Sequence, residues 1–294
     1  MIFLSPAKIN LSLEVGKKLP DNYHLVRTVM QEVSLYDRVS VLPDPSGAVR
    51  FRCDWTGVRF CGKQAPCGDD KNIAYKAALL MKEVLNETLG ARITITKNIP
   101  VGAGLGGGSS NAAAVLRGLL WLWKKRLSPS TLRTTALSLG ADVNYFLYGG
   151  CCLGVHKGEE ITRLRPEWAK DPLWILLVNP GIYLSTREVY EGLSILPPKK
   201  RKTPGMRQIT RLDKLSSCLY NRLEDVAFIK HPEIRDIKES IAACRGCAGA
   251  LMSGSGSSVF GIFPSRHDAV TAHGKMKKVY PHSWVLSTVN NRGR

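Results

Sequence analysis

The residues best placed to do chemistry lie in one run, Pro100-Val101-Gly102-Ala103-Gly104-Leu105-Gly106-Gly107-Gly108-Ser109-Ser110. Five of the seven residues from Gly102 to Gly108 are glycine. Such a backbone takes positive φ at several points and approaches a ligand closely. Ser109-Ser110-Asn111-Ala112-Ala113-Ala114-Val115-Leu116 follows and reads as the first turns of a helix, with Ser109 as its N-cap. A glycine loop running into a helix N-terminus offers free N–H groups and the positive end of a dipole, which suits phosphate.

Several phosphate loops are excluded. No Gly-Lys-Ser/Thr follows, so this is not a Walker A loop. Gly102, Gly104 and Gly107 have the dinucleotide-binding spacing, but the next acidic residue is Asp142, too far on to reach a ribose. The His-Arg-Asp and Asp-Phe-Gly companions of a protein kinase are absent. A flexible linker is disfavoured between the alternating strand Ala91–Lys97 and an Ala-rich helix.

Four other segments stand in a fixed order around the loop: Ser5-Pro6-Ala7-Lys8-Ile9-Asn10-Leu11, Asn22-Tyr23-His24, Leu139-Gly140-Ala141-Asp142-Val143, and Met252-Ser253-Gly254-Ser255-Gly256-Ser257-Ser258. Taken singly they are bland. Asp142 reads as a turn or N-cap carboxylate, and Lys8 as a lysine snorkelling from a strand end. Tyr23 and Tyr190 read as core tyrosines, and His24 as a hydrogen-bonded surface histidine. Taken together with the loop, they resemble the three-motif signature of the GHMP small-molecule kinases. The Lys/Asn/Tyr/His set is similar to the branch whose alcohol substrate carries a cytidine diphosphate. The resemblance runs from Ser5 to beyond Phe260. Asn144 departs from it, standing where the family has Pro two residues after its catalytic Asp. The stretch Cys53–Cys67 matches no part of the pattern.

The resemblance implies an α+β, two-domain GHMP kinase fold. An N-terminal ATP-binding domain would span residues 1–150 and a ferredoxin-like C-terminal domain residues 151–294, with the site between them. The implied reaction is transfer of a phosphoryl group from ATP to an alcohol, which needs positioning and charge neutralisation more than covalent help. Pro100, Val101, Gly102, Ala103, Gly104, Leu105, Gly106, Gly107, Gly108, Ser109 and Ser110 would hold the triphosphate, with Asn72 and Ile73 on the adenine side. Ser109 or Ser110 would reach Mg²⁺ through its hydroxyl. No acidic Mg²⁺ ligand stands out, so phosphates and water would hold most of the ion. Asp142 falls on the family's catalytic Asp, a general base for the hydroxyl. Lys8 would keep Asp142 ionised and lower the hydroxyl's pKa. Asn10, Tyr23 and His24 match a cytidine diphosphate pocket, with Tyr190 as a second stacking face and Thr186 nearby. Gly254, Ser255, Gly256 and Ser257 would support the substrate phosphates. The rival reading is a GHMP kinase of the homoserine, mevalonate or sugar type; such substrates carry no pyrimidine for Asn22-Tyr23-His24 to meet.

Composition bounds the rest. The chain has 294 residues and a formal net charge of +18. Its basic runs, Lys124-Lys125-Arg126, Lys199-Lys200-Arg201-Lys202 and Lys275-Met276-Lys277-Lys278, lack interleaved aromatics, so RNA binding is disfavoured. They read as solvated surface that also steers anionic substrates. No apolar run has transmembrane length, and no charged leader precedes the first motif; a cytoplasmic protein without nucleic-acid or membrane partners, a monomer or weak homodimer, is expected. The eight cysteines are then expected as thiols. Cys244-Arg245-Gly246-Cys247 lacks the second pair a zinc site needs, since Cys61 and Cys67 are wrongly spaced.

The elements that must position these residues follow from pattern. Strands are predicted at Ile9–Val15, Arg38–Leu42, Val49–Cys53, Ala91–Lys97, Cys151–His156, Leu173–Val178, Ala250–Ser253, Val259–Phe263 and Ser283–Thr288. Helices are predicted at Asn72–Leu89, with Asp69 and Asp70 before it and Gly90 ending it, at Ser109–Arg126, and from Ser128-Pro129 to Gly140. Further helices are expected from Ser185 to Gly192, over Gln208–Leu223, over Glu233–Ala243 and before the last strand. Leu196–Gly205 reads as loop.

Overall fold

The computed structural model describes residues 1–58, 71–197 and 206–290. Asp69, Asp70, Cys61, Cys67, the run Lys199–Lys202, Pro204 and Gly205 lie outside the described residues.

Two long strands open the chain, β1 (Ile2–Lys18) and β2 (His24–Asp44). The second half of β2 buries Val33, Leu35, Asp37, Val39 and Val41, the alternation of a strand with one face in a core. Each strand contributes to both of the compact units into which the chain divides. The first unit comprises Met1–Ala7, Leu35–Val101 and Gly106–Tyr148; the second comprises Lys8–Ser34, Gly102–Leu105 and the chain from Gly149 onward.

In the first unit, β3 (Val49–Asp54) precedes α1 (Ile73–Val84), β4 (Gly90–Thr96), α2 (Gly107–Leu122), α3 (Pro129–Leu139) and α4 (Ala141–Tyr148). β4 runs antiparallel to β2, from Arg38 against Thr96 to Asp44 against Gly90, and parallel to β3 on its other edge. α1 buries Ala74, Ala77, Ala78 and Met81, one stripe at helical spacing. It ends at Leu85, with Asn86 at φ 46°, and Gly90 opens β4 instead of closing the helix. α2 buries Ala112 to Leu116 without a break, as a helix enclosed on nearly all sides must. It stops at its C-cap Trp123, so Lys124–Arg126 lies beyond the helix, Lys124 having φ 53°. Ser128 caps α3 by accepting from the Thr131 N–H at 3.0 Å.

The second unit adds β5 (Cys151–Val155), β6 (Glu160–Arg163), β7 (Trp174–Val178), α5 (Thr186–Gly192), α6 (Met206–Ile209), α7 (Leu212–Cys218), β8 (Tyr220–Asn221), α8 (Glu224–Lys230), α9 (Pro232–Ala242), β9 (Gly249–Met252), β10 (Val259–Phe263), α10 (Arg266–Met276) and β11 (Ser283–Val289). Strand order β11-β7-β10-β9, antiparallel throughout, with helices after β7 and β10, is the ferredoxin-like βαββαβ arrangement. The helix expected over Gln208–Leu223 is two short helices followed by β8. Tyr220 and Asn221 leave helical geometry to pair in parallel with Ser12 and Leu13 of β1, and tertiary pairing overrides local propensity. Leu176, Val178, Ile234, Ile237, Ile241, Met252, Val259 and Phe263 form the core of this unit. Among the described residues no helix is long and apolar enough to cross a membrane.

Candidate active site

The glycine loop is anchored from below. Asp37, fully buried on β2, accepts from the backbone N–H groups of Asn98 at 2.7 Å and Ile99 at 2.9 Å. It also pairs with the buried Lys97 ammonium. Asn111, in the second turn of α2, accepts from Lys97 at 3.0 Å and donates to Asp37 at 2.9 Å. One charge pair thus ties β2, the end of β4 and the start of α2 together.

Gly102, Gly104 and Gly106 have φ of 69°, 75° and 68°. Gly106, left-handed, is the N-cap of α2, with no side-chain cap bond. Ser109 is therefore the helix's third residue and not its cap. Here a left-handed residue turns the chain into the helix, and glycine takes that conformation without strain. The N–H groups left without an intrahelical acceptor are those of the first turn, so the bare backbone of Gly106, Gly107 and Gly108 presents most of them. Ser109 is half-buried. Ser110 is buried, its hydroxyl engaged with Ser5 Oγ at 2.7 Å. Asn72 caps α1, accepting from the Ala74 N–H at 3.0 Å. Ile73 opens that helix, with its Cγ2 3.4 Å from where a Cβ on Gly108 would stand. Within the first unit Ile73, the first residue of α1, thus lies against Gly108 at the start of α2. Pro100 is buried and Val101 half-buried where the chain enters the loop.

Asp142 stands in the first turn of α4, half-buried. It is helical rather than in a turn, at the helix end that favours a carboxylate. Asn144, two residues on, is a buried helical residue.

In the second unit Lys8 is buried in mid-strand, 5% exposed, which corrects the reading of a snorkelling strand-end lysine. Its ammonium donates to Asn10 Oδ1 at 2.6 Å, and Asn10 donates to Thr28 Oγ1 at 2.8 Å. Its backbone N–H donates to the Leu105 carbonyl at 3.0 Å, setting it beside the loop. The loop residues of this unit pack on the turn between β9 and β10. Ser253 Oγ donates to the Gly104 carbonyl at 3.0 Å, and the Ser258 N–H donates to the Ala103 carbonyl at 3.4 Å. A Cβ on Gly104 would fall 2.1 Å from the Ser253 carbonyl oxygen, and one on Gly254 would fall 3.4 Å from Asn10 Oδ1. Lys8, Asn10, Ala103, Gly104, Leu105 and Gly254 are thereby gathered.

Thr186 and Ser255 share a hydroxyl contact at 2.8 Å, next to Gly256 at φ 87°. The rings of His24 and Tyr190 face each other at 5.5 Å with a 36° tilt. Burial, with Lys18 adding to it, lowers the His24 pKa, so the imidazole is neutral near pH 7, with one donor and one acceptor nitrogen. Tyr23 is 64% exposed. Lys157 lies 5.6 Å over its ring and pairs with Asp21.

Sequence reasoning missed the residues behind the β9–β10 turn. Asn221, buried, donates to the carbonyls of Met252 at 2.8 Å and Gly254 at 2.7 Å. Glu224 accepts from the Met252 N–H at 2.9 Å and from Lys238 at 2.6 Å. Burial raises its pKa against the pull of Lys238. No local signal marks either residue, because their partners are backbone groups some thirty positions on. A cavity of about 370 Å³ in the same unit is lined by Glu14, Val15, Gly16, Leu25, Val26, Arg27 and neighbours, and by none of the predicted site residues. Among the described residues no cluster of three or more His, Cys, Asp or Glu could hold a metal ion.

Residues 72–150 match the family described as GHMP kinases N terminal domain, and residues 204–282 match GHMP kinases C terminal. The chain is 43% identical over 261 residues to the 4-diphosphocytidyl-2-C-methyl-D-erythritol kinase of Shouchella clausii, covering 88% of this chain and 84% of that one. The chain belongs to the GHMP kinases. Within them it groups with the 4-diphosphocytidyl-2-C-methyl-D-erythritol kinases. That of a Geobacillus strain is 39% identical, over 95% of this chain and 91% of its own. The crystal structure of a 4-(cytidine 5'-diphospho)-2C-methyl-D-erythritol kinase superposes with a TM-score of 0.79 at 33% identity, covering 99% of this GHMP kinase and 100% of that chain. Homoserine kinase from Cytophaga hutchinsonii shares the fold, with a TM-score of 0.71 at 20% identity, over 99% of this chain and 95% of its own. This GHMP kinase is a phosphotransferase of two-domain α+β architecture, of the type that moves a phosphoryl group from ATP to a small alcohol.

Proposed function

We propose that this kinase phosphorylates the 2-hydroxyl of 4-diphosphocytidyl-2-C-methyl-D-erythritol with ATP, giving the 2-phosphate and ADP, in non-mevalonate isoprenoid precursor synthesis. The observation that carries the substrate is the His24–Tyr190 ring pair. It provides an aromatic face for a pyrimidine and a neutral imidazole for its edge, which homoserine and mevalonate have no group to use. The relatives named above support the same reading. The first-turn N–H groups of α2 and the loop backbone hold the triphosphate, as preorganised donors to developing charge. The Ser109 hydroxyl is the loop residue that would reach a Mg²⁺ held mainly by the nucleotide's phosphates and water, an ion that needs few protein oxygens and would neutralise phosphate charge. Asp142 accepts the hydroxyl proton, and the Lys8 cation stabilises the anion that forms. Asn10 holds Lys8 in place, and Thr186 with the Gly254–Ser257 backbone receives the diphosphate.

Competition tests the substrate class. CDP is expected to inhibit competitively against the alcohol substrate and not against ATP. Failure of CDP to compete, with turnover of homoserine or mevalonate, would overturn the proposal.

A further inference from the structure

We propose that Cys244 and Cys247 are a redox-active dithiol that closes to an intrachain disulfide by exchange with a low-molecular-weight disulfide. The two residues flank a turn between α9 and β9. The Cys247 N–H donates to the Cys244 carbonyl at 3.1 Å, and Gly246, the turn's third residue, has φ 76°. This is the pattern of a type II turn, whose first and fourth Cα atoms lie within about 7 Å. Disulfides span Cα separations of roughly 4.4–6.8 Å. The backbone is thus set for closure, and the two thiols are not joined: Cys244 donates to the Ser240 carbonyl and Cys247 to the Gly249 carbonyl, both at 3.4 Å. Among the described residues no third ligand joins them to make a metal site.

The pair is more accessible than three of the other described cysteines, Cys53 being half-buried as well. Cys151, Cys152 and Cys218 are buried, and burial pushes the Cys152 thiol up to about 12. Cys244 and Cys247 are half-buried. Burial raises the Cys247 pKa, and the first attack is given to Cys244. The Cys244 thiolate attacks one sulfur of the small disulfide, forming a mixed disulfide and expelling one thiolate. The Cys247 thiolate then attacks the Cys244 sulfur and expels the second. Two protein thiols are oxidised, and the small disulfide is reduced to two thiols that carry away the two protons. The new bond ties the end of α9 to the start of β9. That strand leads through Met252 into the Ser253–Ser258 turn, so the modification sits on the support of the candidate phosphate loop.

The test exposes the reduced full chain to oxidised glutathione, then blocks free thiols under denaturing conditions and maps peptides by mass. In the expected product the peptide holding Cys244 and Cys247 is lighter by two hydrogens and is blocked only after reduction. Cys247→Ser should instead retain one glutathione on Cys244, and Cys244→Ser should not form the bond. Both of these thiols blocked directly after exposure, or a lasting glutathione adduct on Cys244 or Cys247 in the unaltered chain, would overturn the proposal.

Discussion

A methyl group on Gly104 would stand 2.1 Å from the Ser253 carbonyl oxygen and 3.0 Å from that of Gly256, on a residue whose φ is 75°. The left-handed conformation alone costs a side chain about 1–2 kcal/mol, and the clash forces backbone apart as well. Gly104→Ala should therefore lose about 2 kcal/mol or more of stability in urea unfolding and raise the KM for ATP. An unchanged midpoint would mean that the loop has another place to go. His24 makes a prediction in pH. Its pKa is lowered by burial and then by Lys18, so folding favours the neutral ring. The stability this contributes is present above the ordinary histidine pKa and is lost as pH falls through the folded-state value. The KM for the cytidyl substrate should rise over the same acid range, and the rise should vanish in His24→Gln. A His24 pKa at or above the ordinary value in an NMR titration would contradict both. At this scale the sequence is informative about which residues matter and silent about their surroundings. Lys8 is conspicuous in its motif, yet its burial against Asn10 and Leu105 depends on strands whose pairing no local pattern reveals.

Elements are held by partners distant in sequence, and here the reading from sequence divides. Caps were legible because their chemistry is local: Ser128 and Ser185 each accept the expected N–H, of Thr131 and Glu188. The start of α2 was not legible, because a left-handed glycine cap and a serine cap look alike when glycines and serines adjoin. The full length of β2 and the break before β8 were hidden for another reason. Both are set by pairing across the sheet, as with Tyr220 against Ser12. The buried Asp37–Lys97–Asn111 network is the clearest element-scale device. Asp37→Ala would leave the Lys97 ammonium buried without its counter-charge and two loop N–H groups unpaired. Removing one partner of such a pair costs about 3–5 kcal/mol, to be read from urea unfolding; a loss near zero would show that the ion pair does not anchor the loop. Asn221→Ala removes two bonds to the β9–β10 turn. It should cost about 1–3 kcal/mol and raise the KM for the cytidyl substrate more than it lowers kcat.

The whole molecule carries a net charge of +18 and acts on two anionic substrates in the proposed reaction. A field of that sign raises encounter rates and is screened over about 8–10 Å at ordinary salt. kcat/KM should therefore fall as ionic strength rises while kcat holds nearly constant, and a flat salt profile would assign the charge to solubility alone. The ferredoxin-like order β11-β7-β10-β9 was implied by the family resemblance, since alternation of strands and helices by itself allows several topologies. The central claim is the reaction. Its most direct test is ADP release by the purified protein with Mg-ATP, comparing the cytidyl-erythritol substrate with homoserine and mevalonate, with Asp142→Asn alongside. The account predicts turnover with the cytidyl substrate alone, lost in the variant. Turnover of homoserine or mevalonate at an equal rate, or an Asp142→Asn enzyme as fast as the parent, would contradict it.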